Sequence, residues 1–186
     1  MKAMLATLAL SINFITLGCQ APKETVTPSR RELVPAKIDS KEVAANYYRV
    51  GECYLAGQPT ERGFAEAKLK GVKTVLNLRE EGEFKDFDEK KVIESLSLRY
   101  LHLPVPAQNI SDKTVDRFLA SLNTAPKPIL IHCGSAGRVS GLWAIHLVVD
   151  EGLSVDEAIA LGEQSGLKKE SLKTFVRGYL ERRQKR

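Results

Sequence analysis

The sequence predicts an α/β domain with a central, largely parallel sheet of four to five strands flanked by helices. Three observations carry that expectation. From Tyr47 onward, β-prone apolar clusters alternate with amphipathic stretches in a β-α-β-α-β rhythm, which right-handed crossovers turn into parallel strands. Val72–Leu78 and Pro128–His132 read as buried strands. A small-residue loop joins the second of these to a strongly apolar helix, the arrangement that places ligands beyond the carboxyl ends of strands.

The elements follow in chain order. Tyr47–Val50 and Cys53–Ala56, separated by Gly51-Glu52, predict a hairpin with a two-residue turn. Thr60 is placed to cap a helix running to about Lys70, and Gly71 ends it. After the Val72–Leu78 strand, the polar loop Arg79–Glu83 leads to a helix expected from about Phe84 to Ser97. Leu98–Val105 reads as the next strand, and Ser111 as the cap of a helix carrying Val115, Phe118, Leu119 and Leu122. Pro128–His132 is the last strand. Helices at about Arg138–Glu151, Ser154–Gln164 and Lys168–Arg182 complete the chain, with no internal repeat.

The 186 residues, 43% hydrophobic and 27% charged, fit one domain plus an extra segment and exclude a multi-pass membrane protein. Met1–Leu17 has Lys2, then an interrupted apolar run without an acidic residue, the layout of an export signal. A membrane-spanning helix is the competing reading, and it needs about 20 largely apolar residues. Gly18-Cys19 resembles a bacterial lipoprotein cleavage site, with Thr16 where Leu is usual; an ordinary signal-peptidase site is the alternative. If Cys19 is lipidated, Gln20 suits sorting to an outer membrane. The expected organisation is a signal over residues 1–19, a Pro-bearing tether over 20–40, a domain over 41–182 and a basic tail over 183–186.

The net charge of +5 does not mark a nucleic-acid binder, because residues 41–176 hold 18 basic and 19 acidic side chains. The excess lies toward the ends. What the domain does offer is an anion site in His132-Cys133-Gly134-Ser135-Ala136-Gly137-Arg138. A helix start presents unpaired N–H groups and a positive dipole, and small residues let successive N–H groups turn inward as a cradle. Arg138 adds a fork suited to phosphate. Cys133 at the base of such a field is favoured as a thiolate, and a thiolate facing phosphorus is a nucleophile. Ser140 is placed one turn on, where its hydroxyl is expected to hydrogen-bond that thiolate; His132 is expected to orient the loop.

Together with Tyr54–Pro59, Gly71–Arg79, His102–Val105 and Ala158–Gly162, the stretch His132–Trp143 resembles the cysteine-dependent tyrosine and dual-specificity phosphatase superfamily. More closely, it is similar to the bacterial phosphatase-like domain described as beta-lactamase-hydrolase-like, over about Tyr47–Leu180. The resemblance implies a dual-specificity-phosphatase-like fold, a nucleophile at Cys133, a phosphate-binding Arg138 and backbone contacts from Gly134, Ser135, Ala136 and Gly137. It implies a phosphorylated substrate; no cofactor is expected, and His102 and His146 have no metal-ligand spacing with Cys133 or each other, so no metal site is expected. Two departures stand out. Four residues separate Cys133 from Arg138 where tyrosine phosphatases have five, a short form shared by the bacterial family and by rhodanese-type sulfurtransferases. Ala136 stands where the bacterial family tends to have Gly, which accepts positive φ more readily.

Phosphatases of this superfamily carry an acidic Asp before the nucleophile strand. Here Pro104–Asn109 holds no carboxylate, so Asp112 is the candidate general acid, with Asp116 behind it; both also suit a helix's first turn. Glu81 or Glu83 is the other source of an acid, Glu83 also being a pairing partner for Arg138. Gln58 is either a turn residue or part of the site. Cys53 is either a strand residue or the partner of Cys133 in a reversible disulfide. Three functions therefore remain open: a phosphatase, a sulfurtransferase carrying a persulfide on Cys133, and a phosphate-binding domain with weak catalysis.

Overall fold

The computed structural model describes residues 29–40 and 42–185. The expected signal over 1–19, with Cys19, lies outside the described residues.

Six strands form one sheet: β1 (Ala36–Lys37), β2 (Tyr47–Val50), β3 (Cys53–Ala56), β4 (Thr74–Asn77), β5 (Arg99–His102) and β6 (Ile129–His132), in the order β1-β2-β3-β6-β4-β5. The pairs β3/β6, β6/β4 and β4/β5 are parallel, and β1 and β2 add an antiparallel edge. The β2–β3 hairpin has Val50 opposite Cys53, with Gly51 at φ 55° in the turn. Gly tolerates that left-handed value without steric cost.

The helices are α1 (Glu61–Leu69), α2 (Glu89–Ser95), α3 (Asp112–Thr124), α4 (Gly137–Val149), α5 (Val155–Ser165) and α6 (Glu170–Gln184). Side-chain oxygens of Thr60, Asp88, Ser111 and Ser154 accept from the first turns of α1, α2, α3 and α5, satisfying amides that would otherwise be orphaned. Alternation along the strands divides the core in two. Leu55, Leu76, Ile129 and Ile131 face the layer of α3 to α6, whereas Tyr54, Ala56, Val75 and Leu130 face α1 and α2. Both faces are covered, so the central strands are mostly apolar and their polar residues Thr74, Asn77 and His132 are buried with hydrogen-bond partners. Fully buried Leu and Ile side chains such as these contribute about 1.5–3 kcal/mol each.

Three expectations are corrected and one open alternative, the Cys53–Cys133 disulfide, is closed. The sheet has six strands because Ala36–Lys37 pairs with Tyr48 and Arg49, and Leu33, in a 3-10 turn over Arg30–Leu33, is buried in the core. Residues read as tether thus belong partly to the fold. Helix α2 begins at Glu89, not Phe84, because Asp88 caps it while Phe84 is held under Arg79, 4.2 Å from guanidinium to ring, and edge-on to Phe87. Helix α6 takes in Arg183 and Gln184 from the expected tail. Finally, Cys53 pairs in register with Ile129, four residues before Cys133. At about 3.3 Å per residue the two cysteines are about 13 Å apart along the sheet, and a disulfide needs Cα atoms within about 7 Å. Both are free, and burial pushes the Cys53 thiol up to about 12.

Candidate active site

The loop 133–136 leaves the carboxyl end of β6, between β3 and β4. Its backbone is pinned from β3: Cys133 N–H donates to Ala56 O at 3.3 Å, and Gln58 N–H donates to Gly134 O at 3.0 Å. Asn46 closes the clamp, its side-chain amide donating to Ser135 O at 3.2 Å while its carbonyl accepts from Gly57 N–H at 2.8 Å. A Cβ at Gly57 would stand 3.3 Å from Gly134 O, a tight contact that the loop would have to yield to by a few tenths of an ångström. Ala136 then adopts φ 70°, ψ −10°, the left-handed conformation that costs a non-glycine residue roughly 1–2 kcal/mol. That turn lets α4 start at Gly137 with no side-chain cap, leaving its first amides without a side-chain partner.

Arg138 is buried, and its guanidinium forms a two-pronged pair with Glu83: Nη1 donates to Oε2 at 2.8 Å and Nη2 to Oε1. Nη1 also donates to Val105 O at 2.9 Å. Burial works against the charged guanidinium, but Glu83 and the Cys133 sulfur outweigh it and hold Arg138 above its ordinary pKa. Burial likewise pushes the Glu83 carboxyl up, and hydrogen bonds from Arg138 and the Glu80 N–H, with the charges of Arg138 and Arg79, bring it below its usual range. Cys133 is 1% exposed. The residues after it open on a cleft of about 520 Å³ whose walls include Glu83, Gly134, Arg138, Lys168 and Lys169. Of the carboxylates weighed from sequence, Glu83 alone reaches this cleft.

Behind the loop lies a buried polar network. Glu89 accepts from Arg79 Nη2 at 2.7 Å and Gln58 Nε2 at 3.0 Å. It also bonds His132 Nε2 at 3.2 Å and Tyr100 OH at 3.3 Å. Through this network α2 orients His132, the residue before Cys133, and Gln58 reaches the site by both backbone and side chain. Neither Glu89 nor Arg79 stood out in the sequence, where each reads as an ordinary surface charge. The signal for Arg79 was its place just past a parallel strand beside the loop.

Two expected site residues point elsewhere. Asp112 forms an ion pair with Arg182, 2.8 Å from Nη2, and Asp116 accepts from Tyr179 OH at 2.9 Å. Arg182 lies ten residues, about 15 Å of helix rise, beyond Leu172 at the cleft wall. Asp112 is therefore not brought to the loop, and its acidity serves the α3–α6 contact. Ser140 Oγ lies 2.8 Å from Ser165 O and 2.9 Å from Ala136 O, so its hydroxyl ties the loop to α5 in place of the expected bond to the thiolate.

Comparison with known proteins bears on the fold and the family. The chain is similar to a beta-lactamase hydrolase-like protein of Xylella fastidiosa, 28% identical over 116 residues, covering 60% of this chain and 27% of that protein. A protein of the same name from Agrobacterium fabrum is 23% identical over the same length. The chain thus spans about a quarter of these relatives. Among solved structures, P. aeruginosa TpbA superposes with a TM-score of 0.67 at 23% identity, covering 81% of this chain and 92% of that one. A Neisseria meningitidis protein titled a putative phosphatase gives 0.60 at 25% identity, covering 69% and 93%. The core catalytic domain of a PP-IP phosphatase from S. cerevisiae gives 0.63 at 18%, covering 73% and 85%. The family model for the phosphatase-like domain of beta-lactamase hydrolase-like proteins matches residues 51–149, from the hairpin turn to the end of α4, and the chain belongs to that family.

Proposed function

We propose that the protein is a cysteine-dependent phosphatase that hydrolyses a phosphomonoester through a cysteinyl-phosphate. The observation that carries this reading is that the buried fork of Arg138 and an uncapped helix start line one cleft, with the buried Cys133 sulfur beside Arg138. TpbA is also solved as a cysteine-to-serine variant with phosphotyrosine bound, so this fold accommodates a phosphomonoester.

In this reading the phosphate sits on the first amides of α4 and on Arg138, displacing Glu83. The Cys133 thiolate attacks phosphorus, the S–P bond forms and the P–O bond to the leaving alcohol breaks. Glu83 supplies the proton that the alkoxide takes. Freed from Arg138 and facing a phosphate dianion, its carboxyl holds a proton more readily than in the unliganded site. In the second step Glu83 accepts a proton from water, which attacks phosphorus and returns the thiolate and inorganic phosphate. His132, fixed by Glu89, keeps the loop in place.

Protein starting at residue 20 should release phosphate from an aryl phosphate. Cys133→Ser should abolish release, and Arg138→Lys, which keeps the charge and loses the fork, should cut kcat/KM by about 10²-fold or more. The four-residue Cys-to-Arg loop also favours a second reading, a sulfurtransferase with a persulfide on Cys133. Thiocyanate formed from thiosulfate and cyanide, with no phosphate released, would select it. If neither activity appears and phosphate still raises the melting temperature in an Arg138-dependent way, the domain is a phosphate binder.

Export and anchoring to the outer membrane through a lipid on Cys19 remain part of the proposal on the strength of the sequence alone. Loss of membrane association in Cys19→Ala supports them. Full solubility of the unaltered protein removes them.

A further inference from the structure

The cleft holds more positive charge than one phosphate fork explains. Arg138 and Glu83 cancel each other by their direct pair. The remaining charge on its walls comes from Lys168 and Lys169. Both are exposed, and among the described residues neither ammonium has an ion-pair or hydrogen-bond partner. Their neighbour Lys173 differs, since it is bound to Glu163 and Glu170.

Their place is fixed by the phosphate loop itself. Leu167 is fully buried and its N–H donates to Gly162 O at 2.9 Å, anchoring the turn from α5 to α6. Gly166 has φ 127°, and a Cβ there would lie 3.3 Å from Ala136 Cβ, so this turn packs directly on the loop. Lys168 N–H then donates to Gly166 O at 2.9 Å, and Leu172 lies against Gly137. The lysine backbones are thus held beside the anion loop, while their side chains stay free to reach.

We propose that Lys168 and Lys169 select substrates carrying a second phosphate, so that the cleft takes a bisphosphorylated compound with one phosphate on the Arg138 loop and the other between the lysines. This rests on the phosphatase reading of the loop and names its substrate class. A single dianion would be served by Arg138 and the helix start. Two unpaired cations on the same wall are suited to a separate anionic group.

The test uses Cys133→Ser protein, which binds without turnover, and a synthetic series: propyl phosphate and the bisphosphates of alkane diols with two, four and six carbons. Calorimetric titration should show at least one bisphosphate binding about 10-fold tighter than propyl phosphate, beyond the statistical factor of two for a symmetric ligand. Adding Lys168→Ala and Lys169→Ala should remove that excess and leave propyl phosphate within about threefold. Equal affinities across the series would overturn the proposal, as would an excess that survives the double substitution. A loss shared equally by mono- and bisphosphates would overturn it too, because the lysines would then serve the single phosphate. If no compound binds, the phosphate reading of the loop falls, and the selection of substrates falls with it. If propyl phosphate binds and no bisphosphate gains, only the selection falls.

Discussion

Glu83→Gln separates two roles of the carboxylate on Arg138. In the unliganded cleft Glu83 occupies both prongs of the guanidinium that a phosphate would take. A bound phosphate must move it aside, after which the carboxylate faces a dianion at about 6 Å. With an effective dielectric of about 40, that monoanion–dianion repulsion is about 3 kcal/mol. Screening at 0.15 M salt, with a Debye length of about 8 Å, halves it to about 1.4 kcal/mol, a factor of about ten in affinity. Glutamine keeps the size and an acceptor for Arg138 and removes the charge. Calorimetric titration of inorganic phosphate at pH 7.5 should therefore show about tenfold tighter binding to the variant. The Glu83 carboxyl lies below its usual range in the unliganded cleft and is pushed up beside a bound dianion, so the difference should shrink as acid protonates Glu83 in the complex or the phosphate itself. Equal or weaker binding by Glu83→Gln would refute the reasoning, since the carboxylate would then be holding Arg138 in place without competing for it. If Glu83 is the acid, the variant should lose far more turnover on an alkyl phosphate than on an aryl phosphate with a good leaving group.

Other outcomes follow from single positions. Ala136→Gly relieves a left-handed alanine worth roughly 1–2 kcal/mol but gives up a buried methyl, about 0.8 kcal/mol, and adds chain entropy. Thermal melts should place it within about 1 kcal/mol of the parent, whereas a cost above about 2 kcal/mol would show that the positive φ is not strained. Burial pushes the Glu89 carboxyl up, but the hydrogen bonds from His132 and Gln58 and the charge of Arg79 leave it below its ordinary value. A depressed folded pKa gives stability present above the unfolded value, about 4.3, and lost as pH falls through the folded one. Glu89→Gln should hence cost about 3–5 kcal/mol at pH 7, by leaving Arg79 buried and unpaired, and the gap in denaturant midpoints should narrow in acid. Gly63→Ala should destabilise despite the better helix former, because its Cβ would stand 2.7 Å from the backbone of Glu42 and Val43; an unchanged melting temperature would mean that this contact opens freely.

Much of this fold was legible because its signals are local. The Gly51-Glu52 turn, the Thr60 and Ser111 caps and the apolar Ile129–Ile131 run each state their element within a few residues. The loop 133–136 was legible for the same reason, as a small-residue stretch between a strand and a helix. What stayed hidden depends on partners distant in sequence. Asp112 has the right type and position for an acid, and only α6, seventy residues later, shows that Arg182 takes it. Ser140 is similarly claimed by Ser165. Glu89 could not be told from its solvated neighbours Lys90 and Lys91 until the sheet placed Arg79, Tyr100 and His132 around it. The β1 strand was missed because two exposed residues, Ala36 and Lys37, carry no pattern of their own.

The register that sets Cys53 against Ile129 also decides how an oxidised Cys133 can recover. Among the described residues a sulfenic acid on Cys133 has no other thiol within reach, so repair through a disulfide to Cys53 is closed to it. Within the described fold, recovery would depend on a small thiol or a dedicated reductase from the surroundings, and prolonged peroxide would carry Cys133 past the reversible stage. Mass spectrometry of peroxide-treated protein with glutathione should find the mixed disulfide on Cys133, and a Cys53–Cys133 crosslink would contradict the strand register.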